Sequence, residues 1–486
     1  MQNILNRYYI TYKQTPLAAR AALWFVICSM LQKCISIITV PIFTRLMPTD
    51  QYGAYSTFLS WYGIITVFCT LNMEYCAYIN GITKTDDQAQ KDETAVSLLS
   101  LSATITILIF LIYFIFRHYL DKIIGLPTVM IVLIFAEIFF DPPVNFWSIQ
   151  QRYEFRYIKL VVRTISMVLL NAILGIIFVL LADQNQAVMR AVSIFLVQFV
   201  FGGIFFIYFF KRAKKLFICR DWKHALAVQI PLLPHGLTLT VLASADRIMI
   251  NSMVGPLAAG IYSVAYSAGY IVFILKNSIV DAMKPWIYEN INKQRFEEIR
   301  KNTKPILILN TLITFVFVAF APEIIKIMAP AKYYEAIYVI PPVAASSFFT
   351  FLYNLFVSIE FYYEETKKTM LASIGGAALN IFLNFICIPV FGYMAAGYTT
   401  LVSYMFFSVA HYMVMRSICK RRLNDVRIFG GKFILILSVM ILAFTLLFSF
   451  YYENILIRYG IISVIILVVF IKRKTFVNSV MLIKKR

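Results

Sequence analysis

The residues that could do chemistry in this chain are charged side chains set inside long apolar runs. The clearest case is the pair Asp246-Arg247 within "VLASADRIMINSMVGPLAAGIYS", residues 241–263. A charge at membrane depth is costly and marks a functional candidate. Neighbours on a helix point about 100° apart, so these two charges do not easily satisfy each other. One could anchor a helix in its own lobe while the other faces a substrate; an aspartate could also hold a coupling ion.

Further ionisable side chains lie in other apolar runs. Glu137 and Asp141 are four residues apart and therefore share a helix face. Cations in a translocation path attract an anionic group, and the arginine fork suits phosphate. We predict that the substrate-binding residues are Lys33, Arg247, Arg20 and Lys276. The carboxylates that could carry H⁺ or Na⁺, or anchor a helix within one lobe, are Glu137, Asp141, Asp246, Asp281 and Glu74.

These candidates also have structural interpretations. Arg20, Lys276 and Asp281 lie near enough to a span end for their charges to reach the membrane interface. Lys33 could pair with Glu137 and hold two helices together. Both alternatives stay open from the residues alone.

Helix breakers stand at two places, "IPLLPHG" (Ile230–Gly236) and "DPPVN" (Asp141–Asn145). Proline removes a backbone hydrogen bond and bends a helix. Kinks are also common static features of membrane helices. We predict that the second stretch breaks its helix, and that hinges lie at Pro231, Pro234, Gly236, Pro142 and Pro143.

The elements that position these residues follow from composition. The 486 residues are 60% hydrophobic and only 14% charged, against about 25% charged in soluble domains. This composition indicates an integral membrane protein. The seven cysteines form no Cys-x-x-Cys motif and the four histidines have no ligand spacing, so no metal, cofactor or disulfide frame is expected.

Apolar stretches of about 20 residues predict transmembrane helices. We therefore expect an all-α polytopic membrane protein with about fourteen short-linked spans. They cover 18–43, 53–79, 95–116, 126–147, 157–182, 187–210, 228–253, 258–283, 304–328, 336–360, 368–391, 394–417, 432–451 and 455–471.

The 45 Lys and Arg residues assign the orientation. Cytoplasmic loops carry an excess of Lys and Arg. With both termini in the cytoplasm, only seven fall on the opposite side, namely Arg45, Arg117, Lys122, Arg190, Lys326, Lys332 and Arg458. The net charge of +21 then needs no nucleic-acid partner.

A repeat runs through the chain. An offset of 207 places Gly53 on Gly260 and Tyr55 on Tyr262, and an offset of 209 places Asn171 on Asn380, among other matches. Two nearly equal offsets indicate a duplicated unit of six spans, and an even number inserts both copies in the same direction. In the first copy Thr39 and Val40 occupy the places of Asp246 and Arg247, so that charge pair belongs to the second copy alone.

The predicted organisation is a first lobe at 1–210, a cytoplasmic linker at 211–226 and a second lobe at 227–418. Residues 419–486 add helices 13 and 14 and a basic tail. Two repeat lobes facing a central cleft are typical of alternating-access carriers. No P-loop occurs, so we do not expect ATP to be the direct energy source, and the lack of a filter-like loop disfavours a channel. The outer loops are too short for a polysaccharide polymerase or ligase, so we expect no enzyme.

The chain resembles Wzx-type polysaccharide flippases of the multidrug/oligosaccharidyl-lipid/polysaccharide (MOP) exporter superfamily. Three stretches carry the resemblance: "VPIFTRLMPTDQYGAYS" (Val40–Ser56), "IPLLPHGL" (Ile230–Leu237) and "ADRIMINSMVGPLAAGIYSVAYSAG" (Ala245–Gly269). The similarity covers nearly the whole chain in span number, duplication and length, whereas drug exporters of the superfamily typically have twelve spans. The arginine pattern of its lipid II flippases is not obviously reproduced, which disfavours a peptidoglycan role.

The resemblance implies a V-shaped, two-lobed alternating-access carrier in the bacterial inner membrane. Its substrate would be an undecaprenyl-pyrophosphate-linked oligosaccharide, moved to the outer leaflet for O-antigen, capsule or exopolysaccharide assembly. Partners would be membrane lipids, a polysaccharide polymerase and chain-length proteins, and the carrier would be a monomer. The competing hypothesis is a cation-coupled exporter of drugs or metabolites.

Overall fold

The computed structural model describes residues 16–85, 87–213 and 215–484. In these residues the regular structure is entirely helical. The first helices are α1 (Leu17–Leu46), α2 (Thr49–Thr70), α3 (Ala77–Thr83), α4 (Gln88–Ile115), α5 (Arg117–Ile124), α6 (Thr128–Tyr153), α7 (Tyr157–Leu180), α8 (Gln186–Arg212) and α9 (Cys219–Met253). They continue as α10 (Pro256–Asn292), α11 (Phe296–Ala319), α12 (Ala321–Met328), α13 (Ile340–Tyr362), α14 (Thr366–Phe391), α15 (Met394–Arg422), α16 (Gly431–Phe448) and α17 (Ile455–Lys484), with 3₁₀-helices at Ala331–Tyr338 and Ser449–Tyr451.

Ten helices in the described part of the chain are long and apolar enough to cross a membrane, and the bent α9 makes an eleventh. The chain is therefore a multi-pass membrane protein, as its composition predicts. The other three predicted spans fall on α2, α15 and α17. Helices α2 and α15 are less apolar because they carry buried polar side chains, among them Ser60 and Thr400. In α17 the apolar stretch is short, Ile455–Leu467.

Two predicted spans are interrupted. The span predicted at 53–79 ends as α2 at Thr70, and Leu71 and Asn72 take left-handed backbone conformations before α3 begins. The span predicted at 304–328 is likewise divided into α11 and α12 at Phe320. Hydropathy does not reveal these breaks. At the first break the left-handed conformations are adopted by Leu71 and Asn72, so no glycine marks it in the sequence.

The chain divides into two compact units, Met1–Leu237 and Thr238–Arg486, and the division falls inside α9. The lobe boundaries predicted at 210 and 227 stay predictions. In the first unit α6 packs closely on α8, and α7 packs on α1 and α8. In the second unit α13 packs on α15, α14 packs on α15, and α10 packs on α13.

The helix pairings agree with the predicted duplication. Helices α6 and α8 are the fourth and sixth predicted spans, and α13 and α15 are the tenth and twelfth. In each unit this pair makes the most extensive helix contact. The core of the second unit centres on α13, whose apolar stretch is 89% buried. Helices α16 and α17 pack on α11 and so belong to the second unit.

Candidate functional site

A group of carboxylates occupies the interior of the first unit. Glu137 is 7% exposed, and its Oε2 has no hydrogen-bond partner in the described residues. Asp141, one turn along α6, accepts from Asn145 Nδ2 at 2.7 Å and from Gln198 Nε2 at 3.1 Å. Glu74 lies in the turn between α2 and α3 rather than on a continuous helix. The three carboxylates are close enough for their charges to interact with the same phenol, Tyr62.

Two arginines adjoin these carboxylates. Arg163 acts electrostatically on Asp141, and its Nη2 donates to the Val144 carbonyl at 3.3 Å. Arg190, 5% exposed, acts electrostatically on Glu137. Neither arginine forms an ion pair within 4.0 Å of these acids in the described residues. Arg163, Arg190 and the three carboxylates are therefore separated charges rather than closed salt bridges in the described structure.

Arg190 is held mainly by neutral groups. Its Nη2 donates to Asn171 Oδ1 at 2.6 Å, its Nη1 donates to Ser193 Oγ at 2.9 Å, and its guanidinium lies 4.5 Å from the Phe43 ring centroid. Sequence reasoning placed Arg190 on the outer side of the membrane and assigned it no role. Its equivalent at the offset of 209 is Thr399, so this charge is specific to the first copy.

The double proline of α6 does not break the helix, contrary to prediction. Helix α6 runs through Pro142 and Pro143 to Tyr153. Pro142 and Pro143 remove the donors to the Ile138 and Phe139 carbonyls. Gln198 of α8 donates to the adjacent Phe140 carbonyl at 3.2 Å. The two helices meet closely here, since a Cβ at Gly202 would lie 2.4 Å from the Phe140 oxygen. A hinge role for these prolines stays a prediction.

The structure does not form the alternative Lys33–Glu137 pair. Lys33 is exposed on α1 and has no ion pair in the described residues, whereas Glu137 is buried on α6. Arg20 lies partly buried near the start of α1. Their assignment to substrate binding stays a prediction.

Asp246 is the best-defined polar centre of the second unit. It is 2% exposed and accepts four side-chain hydrogen bonds. Oδ2 accepts from the hydroxyls of Tyr262 and Thr400, each at 2.5 Å. Oδ1 accepts from Asn384 Nδ2 at 2.7 Å and Asn380 Nδ2 at 3.3 Å. Three further helices, α10, α14 and α15, therefore converge on one carboxylate of α9, and every donor is neutral.

Arg247 points to a different environment, as its position beside Asp246 on the helix requires. Its Nη2 donates to the Ala243 carbonyl at 2.6 Å, and its guanidinium lies 4.9 Å from the Tyr266 ring centroid. It forms no ion pair in the described residues, and its Nε has no hydrogen-bond partner there. The guanidinium keeps donor capacity for an anion.

Lys276 and Asp281, both on α10, have opposite surroundings. Lys276 is 1% exposed, and its Nζ donates to Thr314 Oγ1 at 2.8 Å and Ser347 Oγ at 2.7 Å. The expectation that Lys276 reaches the membrane interface is wrong, because its ammonium lies in the core between α11 and α13. Asp281 is exposed and pairs with Lys284 at 3.0 Å.

The proline-rich start of α9 is bent, as predicted. Segments Cys219–Pro234 and Gly236–Met253 meet at 46°. Pro231 and Pro234 lie inside the helix, where each removes a backbone donor. Movement about this bend stays a prediction.

Sequence reasoning missed a second buried ionisable group. Glu360 of α13 and His411 of α15 are both fully buried, and His411 Nδ1 lies 2.9 Å from Glu360 Oε2. The signal available was a glutamate and a histidine inside predicted spans 336–360 and 394–417. Only the fold shows that these residues meet.

Comparisons with known proteins agree with this architecture. The family described as "Polysaccharide biosynthesis protein" matches residues 18–291, and the MatE family matches residues 231–386. No curated protein sequence matches the chain. A solved structure of the lipid II flippase MurJ superposes with a TM-score of 0.67 at 14% identity, covering 93% of this chain and 99% of that one. An inward-facing MATE multidrug transporter of the MOP superfamily gives 0.61 at 14% identity, covering 83% and 99%.

The helices and the superpositions place the chain in the class of multi-pass membrane proteins with the fold seen in the MurJ and MATE structures. Within that class, a match over more than half of its length shows that the chain belongs to the polysaccharide biosynthesis protein family.

Proposed function

We propose that this protein is a Wzx-type flippase for lipid-linked oligosaccharides. It moves undecaprenyl-pyrophosphate-linked repeat units from the cytoplasmic to the outer leaflet of the inner membrane, where they enter O-antigen, capsule or exopolysaccharide assembly. The observation that carries the proposal is the family match over residues 18–291, in a chain that shares its fold with a lipid II flippase. The protein acts by alternating access, without covalent chemistry.

An apolar groove in the second unit suits the lipid tail. It has a volume of about 690 Å³ and is lined by α10, α11, α12 and α17. Leu275, Phe317 and Ile466 are among its lining residues, and Glu323 is its one charged residue in the described structure. A polyprenyl chain needs a predominantly apolar surface, because a polar group along it would lose its hydrogen bonds to water. Glu323 keeps its own partners, Arg458 and Tyr459. Drug exporters with twelve spans have no counterpart of α17.

Cations would receive the pyrophosphate. Arg247 supports this role best, since its guanidinium has no carboxylate partner and only one hydrogen bond in the described structure. Lys33 is exposed and equally unpaired. Arg20 and Lys276 complete the proposed set, and Lys276 would have to leave its present hydroxyl partners to take part.

Coupling to an ion would involve Asp246. In this structure all four neighbours donate hydrogen bonds to the carboxylate, so Na⁺ binding would require the amides and hydroxyls to turn their oxygens towards the ion. The alternative role, a hydrogen-bond anchor within the unit, needs no ion. Glu137, with one unpartnered buried oxygen, is the second candidate for ion binding. The exposed Asp281 is the weakest.

The decisive experiment is a gene deletion in the native bacterium. We expect loss of one surface polysaccharide and accumulation of its lipid-linked repeat unit inside the cell. Wild-type protein should restore export, whereas Arg247→Ala and Lys33→Ala should not, although both insert in the membrane. Arg300→Ala serves as the matched control, because Arg300 is an exposed cation. A normal amount of surface polysaccharide in the deletion strain would refute the proposed flippase function.

The alternative is a cation-coupled multidrug or metabolite exporter, favoured by the MatE match over residues 231–386. This function predicts altered drug susceptibility with intact surface glycans in the same deletion strain. The two hypotheses therefore give opposite results in one experiment.

Localisation and partners belong to the same proposal. The protein lies in the bacterial inner membrane with both termini in the cytoplasm, works as a monomer, and delivers its substrate to a polymerase and chain-length proteins. Reporter fusions at each terminus test the orientation: a fused alkaline phosphatase should be inactive at both ends. Activity at either end would reverse the assignment.

A further inference from the structure

The second unit contains a buried acid–imidazole group that the proposed transport mechanism does not use. His411 Nδ1 lies 2.9 Å from Glu360 Oε2 and 3.1 Å from Oε1. Thr369 donates its hydroxyl to Glu360 Oε2 at 2.7 Å, and Ser373 Oγ lies 3.4 Å from His411 Nε2. All four side chains are at most 1% exposed. Three helices, α13, α14 and α15, are thus joined through one carboxylate and one ring.

Aromatic rings and hydroxyl groups surround the pair in the described part of the chain. The ring centroids of Tyr353 and Phe407 each lie 4.7 Å from that of His411, and Tyr353 is the titratable group facing the pair from α13. From α14 the pair is faced by the two hydroxyls already described. No Lys, Arg, Asp or Glu of α10, α11, α14, α15 or α16 forms an ion pair with either residue in the described structure.

Among the nearby cations of α14 and α15, Lys367 is exposed and three others pair with acids outside the site. Lys368 and Arg421 both pair with Glu365, at 3.7 and 2.8 Å. Arg416 pairs with Asp425 and donates to the Val426 carbonyl at 2.9 Å. The Glu360–His411 pair must therefore balance its charge internally.

Only one net charge of the Glu360–His411 pair is favourable in this environment. An ionised Glu360 beside a neutral His411 would bury a net negative charge with no cation, which is strongly unfavourable in an apolar core. One additional proton makes the pair neutral overall, either as carboxylate with imidazolium or as carboxylic acid with imidazole. The imidazolium form also lets Nε2–H donate to Ser373.

We propose that Glu360 and His411 form a proton-binding site that holds α13, α14 and α15 together. The bound proton lies between the carboxylate and the ring and can leave only when water reaches the site. Since the pair is fully buried here, its release requires these helices to separate locally. Proton release and that separation are then thermodynamically linked, because a ligand that binds one state stabilises it.

The chain offers a direct test, because it contains only four histidines, His118, His224, His235 and His411. In the variant H118Q/H224Q/H235Q, labelling with ¹⁵N-histidine reports His411 alone. The purified full-length protein would be studied in lipid nanodiscs at neutral pH by NMR. Infrared spectra of the same sample report a protonated carboxyl group, and the Glu360→Gln variant identifies which band belongs to Glu360.

Two results support the site. An imidazolium signal that becomes neutral in the E360Q background places the proton on His411, and a neutral ring with a Glu360-dependent carboxylic acid band places it on Glu360. A neutral ring with no such band means that the pair is unprotonated, and this result overturns the proposal. Ser373→Ala is the matched control: it removes a hydroxyl but no charge, so the proton should remain.

The linkage has its own measurement. Hydrogen–deuterium exchange of α13–α15 should accelerate at least several-fold when pH is raised in the wild type, beyond the intrinsic rise seen in unstructured segments. The double variant E360Q/H411Q has no proton to lose and should lack this acceleration. Equal pH dependence in both proteins would remove the link between the proton and helix packing, even if one variant were less stable.

Discussion

Asp246→Ala should destabilise the second unit, because the variant removes the acceptor of four buried hydrogen bonds. Side-chain hydrogen bonds in membrane proteins average about 0.6 kcal/mol, which sets a floor of about 2.4 kcal/mol for four bonds. Bonds to a charged group reach about 1.5–3 kcal/mol each, but single substitutions rarely exceed about 5 kcal/mol in total. Part of the loss is offset, since the buried charge disappears as well. We therefore expect a loss of about 2–5 kcal/mol in the free energy of unfolding.

Equilibrium unfolding in mixed detergent micelles would measure this loss. Asp246→Asn keeps one acceptor oxygen, so at least half of the donors remain paired and its loss should be smaller. Asp281→Ala is the matched control: its exposed pair with Lys284 contributes about 0–1 kcal/mol. If Asp246→Ala and Asp281→Ala unfold with the same free energy, the four converging donors do not stabilise the unit.

Two further variants test packing and buried charge. Gly202→Ala should lower the free energy of unfolding by about 1–3 kcal/mol or more, because the added Cβ would meet the Phe140 carbonyl. Gly203→Ala is the control: its Cβ would have nothing within 4 Å, so it should be neutral or stabilising. Equal effects of the two variants would refute the close helix contact. Lys276→Met should change the free energy of unfolding by less than about 1.5 kcal/mol, because it replaces a buried amine by an apolar group of similar volume. Export should nevertheless stop in this variant, whereas the control Lys284→Met should export normally. Export by Lys276→Met at wild-type level would exclude Lys276 from the substrate site.

The membrane architecture could be predicted from the sequence because it depends on sums over many residues. Span length and the two near-equal offsets each average over long stretches, whereas the orientation read from charge asymmetry stays a prediction. The helical bend near Pro234 was also predictable, since proline acts through its own backbone. By contrast, Pro142 and Pro143 did not break α6, which packs closely against α8 at this turn, and the sequence does not show that packing.

The polar centres could not be predicted in detail, because they depend on pairs of residues far apart in the chain. Glu360 and His411 each look like an isolated polar residue in an apolar run. Lys276 and Asp281 are five residues apart on one helix, yet one is in the core and the other is exposed. The two side chains lie on different faces of α10, and only the packing of α10 on α11 and α13 shows which face is buried.

The duplicated asparagine has a consequence for how the two halves diverged. Asn171 offers its carbonyl oxygen to Arg190, while its counterpart Asn380 offers its amide hydrogens to Asp246. A primary amide carries both a donor and an acceptor, so the same side chain solvates either sign of charge. A single-unit ancestor with this asparagine could have been uncharged at the spot. Each descendant copy could then acquire a charge of its own, positive in one and negative in the other, by point mutation without rebuilding its backbone.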